Sequence, residues 1–137
     1  MSESTPTLPS ATGDFGDKPE LTFPAAAPPE ELVVEVLTAG SGLTVESGQT
    51  IEVNYFGQIW GGRVFDNSYD RGSSIEFPIG MGVVIHGWDA GLVGRAIGSR
   101  LLLSIPPHDG YGPGGAPRAG IGGDDTLVFV VDILGSH

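Results

Sequence analysis

Short segments in which apolar and polar residues alternate, found along the chain beyond residue 31, constrain the fold more than any other feature. In the clearest segment, Ile51, Val53 and Tyr55 alternate with polar residues. A period of two places the apolar side chains on one face of a β-strand. Related patterns predict further strands over residues 32–37, 64–65, 75–79, 101–105 and 127–134. Pro78 cannot donate to a β-ladder, so its strand is expected at an edge or a bulge.

Only one segment, from His86 to about Val93, has the pattern of a helix. Trp88 and Leu92 are four residues apart, so a helix would place both on one face. Glycine supplies 23 of the 137 residues, which favours β-structure with many tight turns. About five strands and one short helix predict an α+β fold, in which a curved antiparallel sheet wraps around the helix. The length suits a single domain.

Residues 1–31 differ from the rest of the chain in composition. They hold six of the eleven prolines, and six acidic residues against one lysine. Such a segment buries too little apolar surface to offset the entropy that ordering costs. We therefore expect an arm that is mostly extended or disordered, followed by a domain over residues 32–137. Two alternatives stay open: the arm lies partly on the domain through Leu21 and Phe23, or it is a docking peptide.

The charge and the missing residue types exclude several classes of function. A formal net charge of −11 repels nucleic acid and anionic lipid, so neither is an expected partner. The absence of cysteine excludes disulfides and thiol catalysis. The first residues lack the basic and apolar parts of a secretory signal, and no apolar run approaches the roughly 20 residues that span a bilayer. We expect a cytoplasmic monomer.

No arrangement of residues predicts a metal site or a bound cofactor. His86, His108 and His137 do not have the spacing of a zinc site. The glycine-rich run over residues 110–117 lacks the Lys-Ser/Thr ending of a phosphate loop and precedes no helix. Asp124 and Asp125 are not followed by further oxygen ligands at calcium-site offsets, so they are expected to cap a turn. No serine lies in a nucleophile-elbow motif.

Several short blocks, weak one by one, occur together in a distinctive order. They are Val53-Asn54-Tyr55-Phe56-Gly57, Val64-Phe65-Asp66-Asn67-Ser68-Tyr69-Asp70-Arg71, Val84-Ile85-His86-Gly87-Trp88-Asp89-Ala90-Gly91-Leu92, Tyr111-Gly112 and Leu127-Val128-Phe129. In order and spacing they resemble the FKBP family of peptidyl-prolyl cis/trans isomerases, which also bind the macrolides tacrolimus and rapamycin. The resemblance extends over about residues 32–134 and leaves the arm outside.

The resemblance implies a substrate pocket between the concave face of the sheet and the helix. The residues that match its lining in type and order are Tyr55, Phe65, Asp66, Arg71, Val84, Ile85, Trp88, Tyr111 and Phe129, with Ile75 and Ile121 as aliphatic walls. Ile75 stands where close relatives often have an aromatic residue. The loop over residues 116–123 is longer by one residue and lacks a histidine found in some members. Both departures bear on substrate preference and macrolide affinity.

Catalytic roles carried over with the resemblance need no nucleophile and no cofactor. Trp88 and Phe65, with other aromatic residues, would enclose the proline ring. The Ile85 amide and the Tyr111 hydroxyl would hold the substrate backbone. Asp66 would sit at the lip of the pocket, where its charge acts on the rotating carbonyl, with Arg71 holding it in place. Plain core packing for the aromatic residues, and a structural ion pair for Asp66, are the competing interpretations.

The function that the resemblance implies is non-covalent isomerisation of X–Pro bonds in peptides and unfolded proteins, with tacrolimus and rapamycin as inhibitors. One alternative is a peptide-binding module with little turnover on the same fold. Another is an unrelated β-domain that binds, for example, polysaccharide.

Overall fold

The computed structural model describes residues 7–137, which form a curved antiparallel sheet, two short helices and a small hairpin. The strands are β1 (Ser10–Ala11), β2 (Leu21–Thr22), β3 (Val33–Thr38), β4 (Thr50–Ile59), β5 (Val64–Asn67), β6 (Ile75–Pro78), β7 (Arg100–Ile105) and β8 (Leu127–Ser136). The helices are α1 (Ser68–Arg71) and α2 (His86–Leu92), with single 3₁₀ turns at Pro107–Asp109 and Pro117–Ala119. The predicted α+β class is confirmed.

The main sheet has six strands, and its centre is the last strand of the chain. The order is β3-β7-β8-β4-β5, and β6 pairs with the first half of β4 on the side where β5 pairs with the second half. Strand β8 therefore joins two parts of the sheet that are otherwise unconnected. Pro78 lies in β6, which pairs with β4 alone, so the prediction of an edge position is confirmed.

Helix α2 lies against the concave face of the sheet. Trp88 and Leu92 are both buried there, as their spacing predicts. Gly87 lets the helix approach closely, because a Cβ at this position would lie 2.7 Å from side-chain atoms of Ile105. The core that results combines these residues with the inward-facing side chains of β4, β7 and β8.

Helix α1 and the β1–β2 hairpin were absent from the predicted elements. Helix α1 is a single turn, too short to show a helical period. Its signals are local: the Asn67 side chain accepts a hydrogen bond from the Asp70 amide at 2.8 Å, and Gly72 ends the helix with a φ of 72°. These are ordinary N-cap and C-cap features, and they stand directly after a strand.

The convex face of the sheet is also buried at its centre. Leu102, Val128 and Val130 alternate with the inward-facing residues of β7 and β8, yet none of them is exposed. Residues 18–22 lie beside Phe56 and share a groove with it on this outer side. Residues 12–22 thus run over the back of the sheet, and the aromatic rings of Phe23 and Trp60 meet edge to face at 5.5 Å.

An ion pair between Arg100 and Asp132 fixes the same segment to the sheet. Both side chains are buried, and Arg100 Nε lies 2.7 Å from Asp132 Oδ1. The guanidinium also donates to the backbone carbonyl groups of Thr12, Gly13 and Asp17. The division into an arm over 1–31 and a domain over 32–137 stays a prediction, and residues 1–6 lie outside the described part of the chain.

Candidate functional site

A cavity of about 290 Å³ opens between α2 and the concave face of the sheet. Four strands, helix α2 and two connecting segments contribute to its wall. The lining residues are Tyr55 of β4, Phe65 and Asp66 of β5, Ile75 of β6, Val83, Val84 and Ile85 before α2, Trp88 of α2, Tyr111 of the β7–β8 loop and Phe129 of β8. The cavity is therefore assembled from distant parts of the chain and exists only when the sheet is complete.

Trp88 lies at the centre of an aromatic cluster. Its ring centroid is 5.1 Å from that of Phe129, 5.3 Å from Phe77 and 5.4 Å from Tyr55. The Phe129 and Tyr55 rings meet the indole nearly perpendicularly, an arrangement that the aromatic quadrupole favours. The indole Nε1 is buried and has no hydrogen-bond partner within residues 7–137. The Trp88 side chain is thus held in place by packing alone.

Gly57 allows two aromatic side chains to close one end of the cluster. A Cβ at this position would lie 2.8 Å from both Phe65 Cζ and Phe129 Cε1. The two phenyl rings meet at 90° with their centroids 5.5 Å apart. Any larger residue in place of Gly57 would push one of the rings out of position.

Three polar side chains form a network at the lip of the cavity. Asp66 accepts a hydrogen bond from the Tyr55 hydroxyl and pairs with Arg71 Nη1 at 2.5 Å. Arg71 Nη2 also donates to the Tyr55 hydroxyl at 2.9 Å. The Arg71 and Asp66 side chains are 45% and 43% exposed, so the carboxylate is held in place and still meets solvent. Helix α1 supplies Arg71 and so positions this network.

The tyrosines of the cavity stay neutral over a wide pH range. Burial raises the pKa of the Tyr55 phenol, and the hydrogen bond to Asp66 raises it further. Burial also raises the pKa of Tyr111, with the negative charge of Asp66 as a second cause. The hydrogen bonds to Tyr55 and Asp66 raise the pKa of Arg71. Both phenols are therefore hydrogen-bond donors at neutral pH.

The segment before α2 gives the cavity a wall of backbone as well as side chains. Ile85 is extended, with φ −58° and ψ 149°, and its carbonyl accepts from the Trp88 amide at 3.0 Å. Its own amide N–H meets no acceptor among residues 7–137. An acceptor on a ligand can use it, because a backbone donor is otherwise left without a partner.

Nine of the eleven predicted site residues line the cavity. The two that do not are Arg71, which stands behind Asp66, and Ile121, which is 4% exposed and packed in the core. The structure adds Val83, which precedes two predicted lining residues in an apolar run without alternation. Because apolar and polar residues do not alternate in this run, the sequence could not show whether Val83 lines the cavity or packs in the core.

Two histidines lie outside the cavity and share one aspartate. His86 Nδ1 lies 2.7 Å from Asp109 Oδ1, and His108 Nε2 lies 3.3 Å from the other oxygen of the same carboxylate. Within residues 7–137, no group of three or more His, Asp or Glu side chains is placed to hold a metal ion. None of the helices in that range has the length and hydropathy that crossing a membrane requires.

Comparisons with known proteins agree with this geometry. The family described as FKBP-type peptidyl-prolyl cis-trans isomerase matches residues 42–134. An "FK506-binding protein" of Streptomyces anulatus is 40% identical over 119 residues, which cover 86% of this chain and 96% of that protein. A "Probable FK506-binding protein" of Corynebacterium glutamicum is 37% identical over 121 residues, covering 86% of this chain and 98% of its own length.

Two solved structures have the same fold. The crystal structure of AtFKBP13 superposes with a TM-score of 0.72 at 34% identity, covering 80% of this chain and 96% of that one. The crystal structure of FkpA from Escherichia coli superposes with a TM-score of 0.70 at 41% identity, covering 77% of this chain and 47% of that one. The rest of the FkpA chain lies outside the superposed region.

Proposed function

Because the chain belongs to the family of FKBP-type peptidyl-prolyl cis-trans isomerases, we propose that X–Pro bonds rotate in the cavity beside Trp88. Isomerase activity itself follows from membership of the family. The observation that carries the proposed location is the aromatic cluster, which gives a proline ring an apolar enclosure with one polar network at its lip.

Rotation of an X–Pro bond is slow because resonance stiffens the amide, with a barrier of about 18–20 kcal/mol. The planar amide carries more charge on its oxygen than the twisted one does. Moving the amide from water into an apolar cavity therefore disfavours the planar ground state more than the twisted transition state. A rate gain of five decades would need a difference of about 7 kcal/mol. No bond is broken, so no nucleophile is needed.

The proposed roles of individual residues follow from their positions. Trp88 forms the floor, while Phe65 and Phe129 close the side against the proline ring. The free Ile85 amide takes the carbonyl that follows the proline. The Tyr111 hydroxyl, which the raised pKa keeps protonated, donates to substrate backbone. These contacts hold the substrate on both sides of the rotating bond, so that binding free energy favours the twisted geometry.

Asp66 acts on the rotating carbonyl through its charge. The Tyr55 hydroxyl and the Arg71 guanidinium fix the carboxylate at the lip, so it needs no reorganisation when the amide twists. The same two partners also stabilise α1 against β4, which is the structural role that the sequence left open. The two roles are compatible, and a variant at Asp66 separates them.

The proposed ligands are proline-containing peptides, unfolded proteins, and the macrolides tacrolimus and rapamycin. Macrolide binding is supported by the retained aromatic cavity and by relatives that are named for binding FK506. The aliphatic Ile75 forms part of the wall that such a ligand would meet. We also propose that the protein is a monomer and works in the cytoplasm, which size-exclusion chromatography and cell fractionation would test.

A single set of assays tests the function. A proline-containing peptide is turned over by wild-type protein, with and without tacrolimus, and by Trp88→Leu and Trp60→Leu variants. Trp60 is the matched control, because its half-buried indole packs on Phe23 and lies outside the cavity. We expect inhibition by tacrolimus, loss of turnover in the first variant and near-normal turnover in the second. Tacrolimus binding without turnover in wild type would favour the low-activity binding module instead.

A further inference from the structure

A single hydrogen bond joins α2 to the loop between β7 and β8. His86 is the first residue of α2, and its Nδ1 lies 2.7 Å from Oδ1 of Asp109, which ends the 3₁₀ turn of that loop. Within the described part of the chain, no other hydrogen bond connects residues 85–92 with residues 106–123. The bond between His86 and Asp109 is therefore the polar connection between two segments that both contribute to the cavity wall.

Each end of this bond stands next to a group that is proposed to hold the substrate backbone. His86 directly follows Ile85, and Asp109 precedes Tyr111 by two residues. Backbone hydrogen bonds within residues 106–112 close the turn that carries both Asp109 and Tyr111, so these two residues move together. The length of the bond therefore affects the separation between the Ile85 amide and the Tyr111 hydroxyl.

The bond changes character when the imidazole takes up a second proton. A carboxylate can only accept, so the nitrogen that faces it, Nδ1 of His86, carries a proton in the neutral ring as well. A proton on Nε2 makes the ring a cation and turns the bond into an ion pair, which is stronger. The His86 side chain is 68% exposed and that of Asp109 is 15% exposed, so water reaches the imidazole more easily than the carboxylate.

Two further charged or titratable groups face this pair. His108 Nε2 lies 3.3 Å from Oδ2 of Asp109, but His108 belongs to the same turn as the carboxylate and so connects nothing to α2. Asp89 lies one turn after His86 and lines the same shallow depression. Its two oxygens accept the backbone amides of residues 80 and 82, so its charge is engaged elsewhere.

We propose that His86 and Asp109 are a positioning pair, which sets the separation between the Ile85 amide and the Tyr111 hydroxyl and holds it more firmly when His86 is protonated. This role rests on the proposed function, in which those two donors bind the substrate. Histidine changes its charge between about pH 5 and about pH 8, so kcat/KM should fall as the pH rises through this range. Because an exposed ion pair contributes little, we expect a fall of about threefold to fivefold.

The test measures kcat/KM by NMR exchange from about pH 5.5 to about pH 8.5, on an end-blocked proline-containing peptide without ionisable side chains. His86→Leu should give a flat profile at the lower value of wild type. His86→Lys stays charged and should give a flat profile at the upper value. Asp109→Asn removes the negative charge and should also abolish the fall. The remaining histidine near the chain end, His137, is present in every variant, so its titration cancels.

His108→Leu is the matched control. The His108 side chain is 60% exposed and contacts the same carboxylate, yet it lies on the same side of the link as Asp109. This variant should keep the fall in kcat/KM that wild type shows. A fall that disappears in His108→Leu as completely as in His86→Leu would assign the effect to the turn and overturn the positioning pair.

Other outcomes also overturn the pair. One is a wild-type kcat/KM that does not change with pH, and another is a His86→Leu profile that follows wild type. A fall that persists in Asp109→Asn would mean that the imidazole charge acts without the carboxylate. Absence of turnover by wild type at every pH would overturn the proposed function instead. Thermal melting at both ends of the pH range checks each fold, and if His86→Leu unfolds, the decision rests on His86→Lys and Asp109→Asn.

Discussion

Two Arg–Asp–Tyr groups, built from the same side chains, occupy very different surroundings in this molecule. Arg100, Asp132 and Tyr69 meet on the convex side of the sheet, where the two charged side chains are 1% and 0% exposed. In the other group, Arg71 with its two partners at the cavity lip, the two charged side chains are nearly half exposed. In each group the tyrosine hydroxyl donates to the aspartate and accepts from the arginine.

The difference lies in what else each group binds. The buried arginine donates to three backbone carbonyls of residues 12–17, and the Gly16 amide donates to Asp132 at 2.8 Å. Its hydrogen-bonding capacity is therefore filled by the protein. The group at the lip keeps an exposed carboxylate that a ligand can approach. The comparison teaches that one group is used up in holding the fold, whereas the other keeps a carboxylate free for the role proposed for it, although helix α1 supplies a residue to each.

The largest effect should come from removing one charge of the buried group. Arg100→Met leaves Asp132 buried without its counter-ion, which costs about 3–5 kcal/mol of unfolding free energy. Arg71→Met makes the same chemical change at the lip, where an exposed pair contributes about 0–1 kcal/mol. Urea unfolding of both variants measures the difference. Similar losses in the two variants would contradict the division between fold and function.

Deleting residues 1–31 should have the next largest effect on stability. The truncation removes three acceptors of Arg100 and exposes the convex face over Phe56. A hydrogen bond to a charged group contributes a net of about 1.5–3 kcal/mol, and water that reaches the uncovered guanidinium offsets part of the total loss. We expect a loss of about 2–4 kcal/mol, seen by calorimetry. Every cavity residue lies at or after Tyr55, so kcat/KM of the folded fraction should stay within about threefold. A tenfold loss in folded protein would show that the arm shapes the cavity.

Asp66→Leu tests whether the polar network at the lip of the cavity contributes to catalysis. If enclosure supplies most of the catalysis, kcat/KM should fall by about one to two decades, or about 1.4–2.7 kcal/mol. The melting temperature should change little, since the Asp66 side chain is 43% exposed. Tacrolimus binding on the same variant checks that the cavity is intact. Unchanged kcat/KM would assign Asp66 to structure alone, and a loss of four decades would mean that its charge dominates catalysis.

The smallest effect should be a loss of stability in alkali. Burial, and then the bond to Asp132, raises the pKa of Tyr69, so the folded state holds the phenol proton more tightly than the unfolded state does. Its contribution is complete below the ordinary tyrosine pKa of about 10 and is lost as the pH rises above it. Urea midpoints from about pH 9 to about pH 11 should fall, and fall less in Tyr69→Phe than in Tyr55→Phe. Lys18 is the only lysine, so the other side chains that titrate in this range are mainly Tyr55 and Tyr111, and the comparison of the two variants isolates the part that is due to Tyr69.

The elements that could be predicted from the sequence are those with one apolar, buried face and one more polar, less buried face. Strand β4 alternates buried and less buried residues, and the spacing of Trp88 and Leu92 marks the inner face of α2. Most of the cavity was predicted for a related reason: its lining residues lie within motifs that resemble those of a known family. Arg71 lies within one of those motifs and Ile121 lies between two of them, yet neither side chain lines the cavity. A motif match identifies positions along the chain, but it does not say how deeply a side chain is buried.

The packing of the N-terminal segment on the convex face of the sheet could not be predicted from the composition of that segment. A count of apolar residues in 1–31 misses the backbone carbonyls, which every residue carries and which are the groups that Arg100 binds. One signal was available in the last strand. Asp132 interrupts an otherwise apolar run, and a carboxylate in such a run needs a buried partner.

The central position of β8 has a consequence for how the protein is made. On the ribosome, β8 is the last strand of this sheet to emerge. Without β8, the pair of β3 and β7 is not connected to the group formed by β4, β5 and β6. A nascent chain that has reached the end of β7 therefore exposes the unpaired edges of two central strands, which are sites for pairing with other chains. This isomerase is thus itself open to mispairing until β8 is translated.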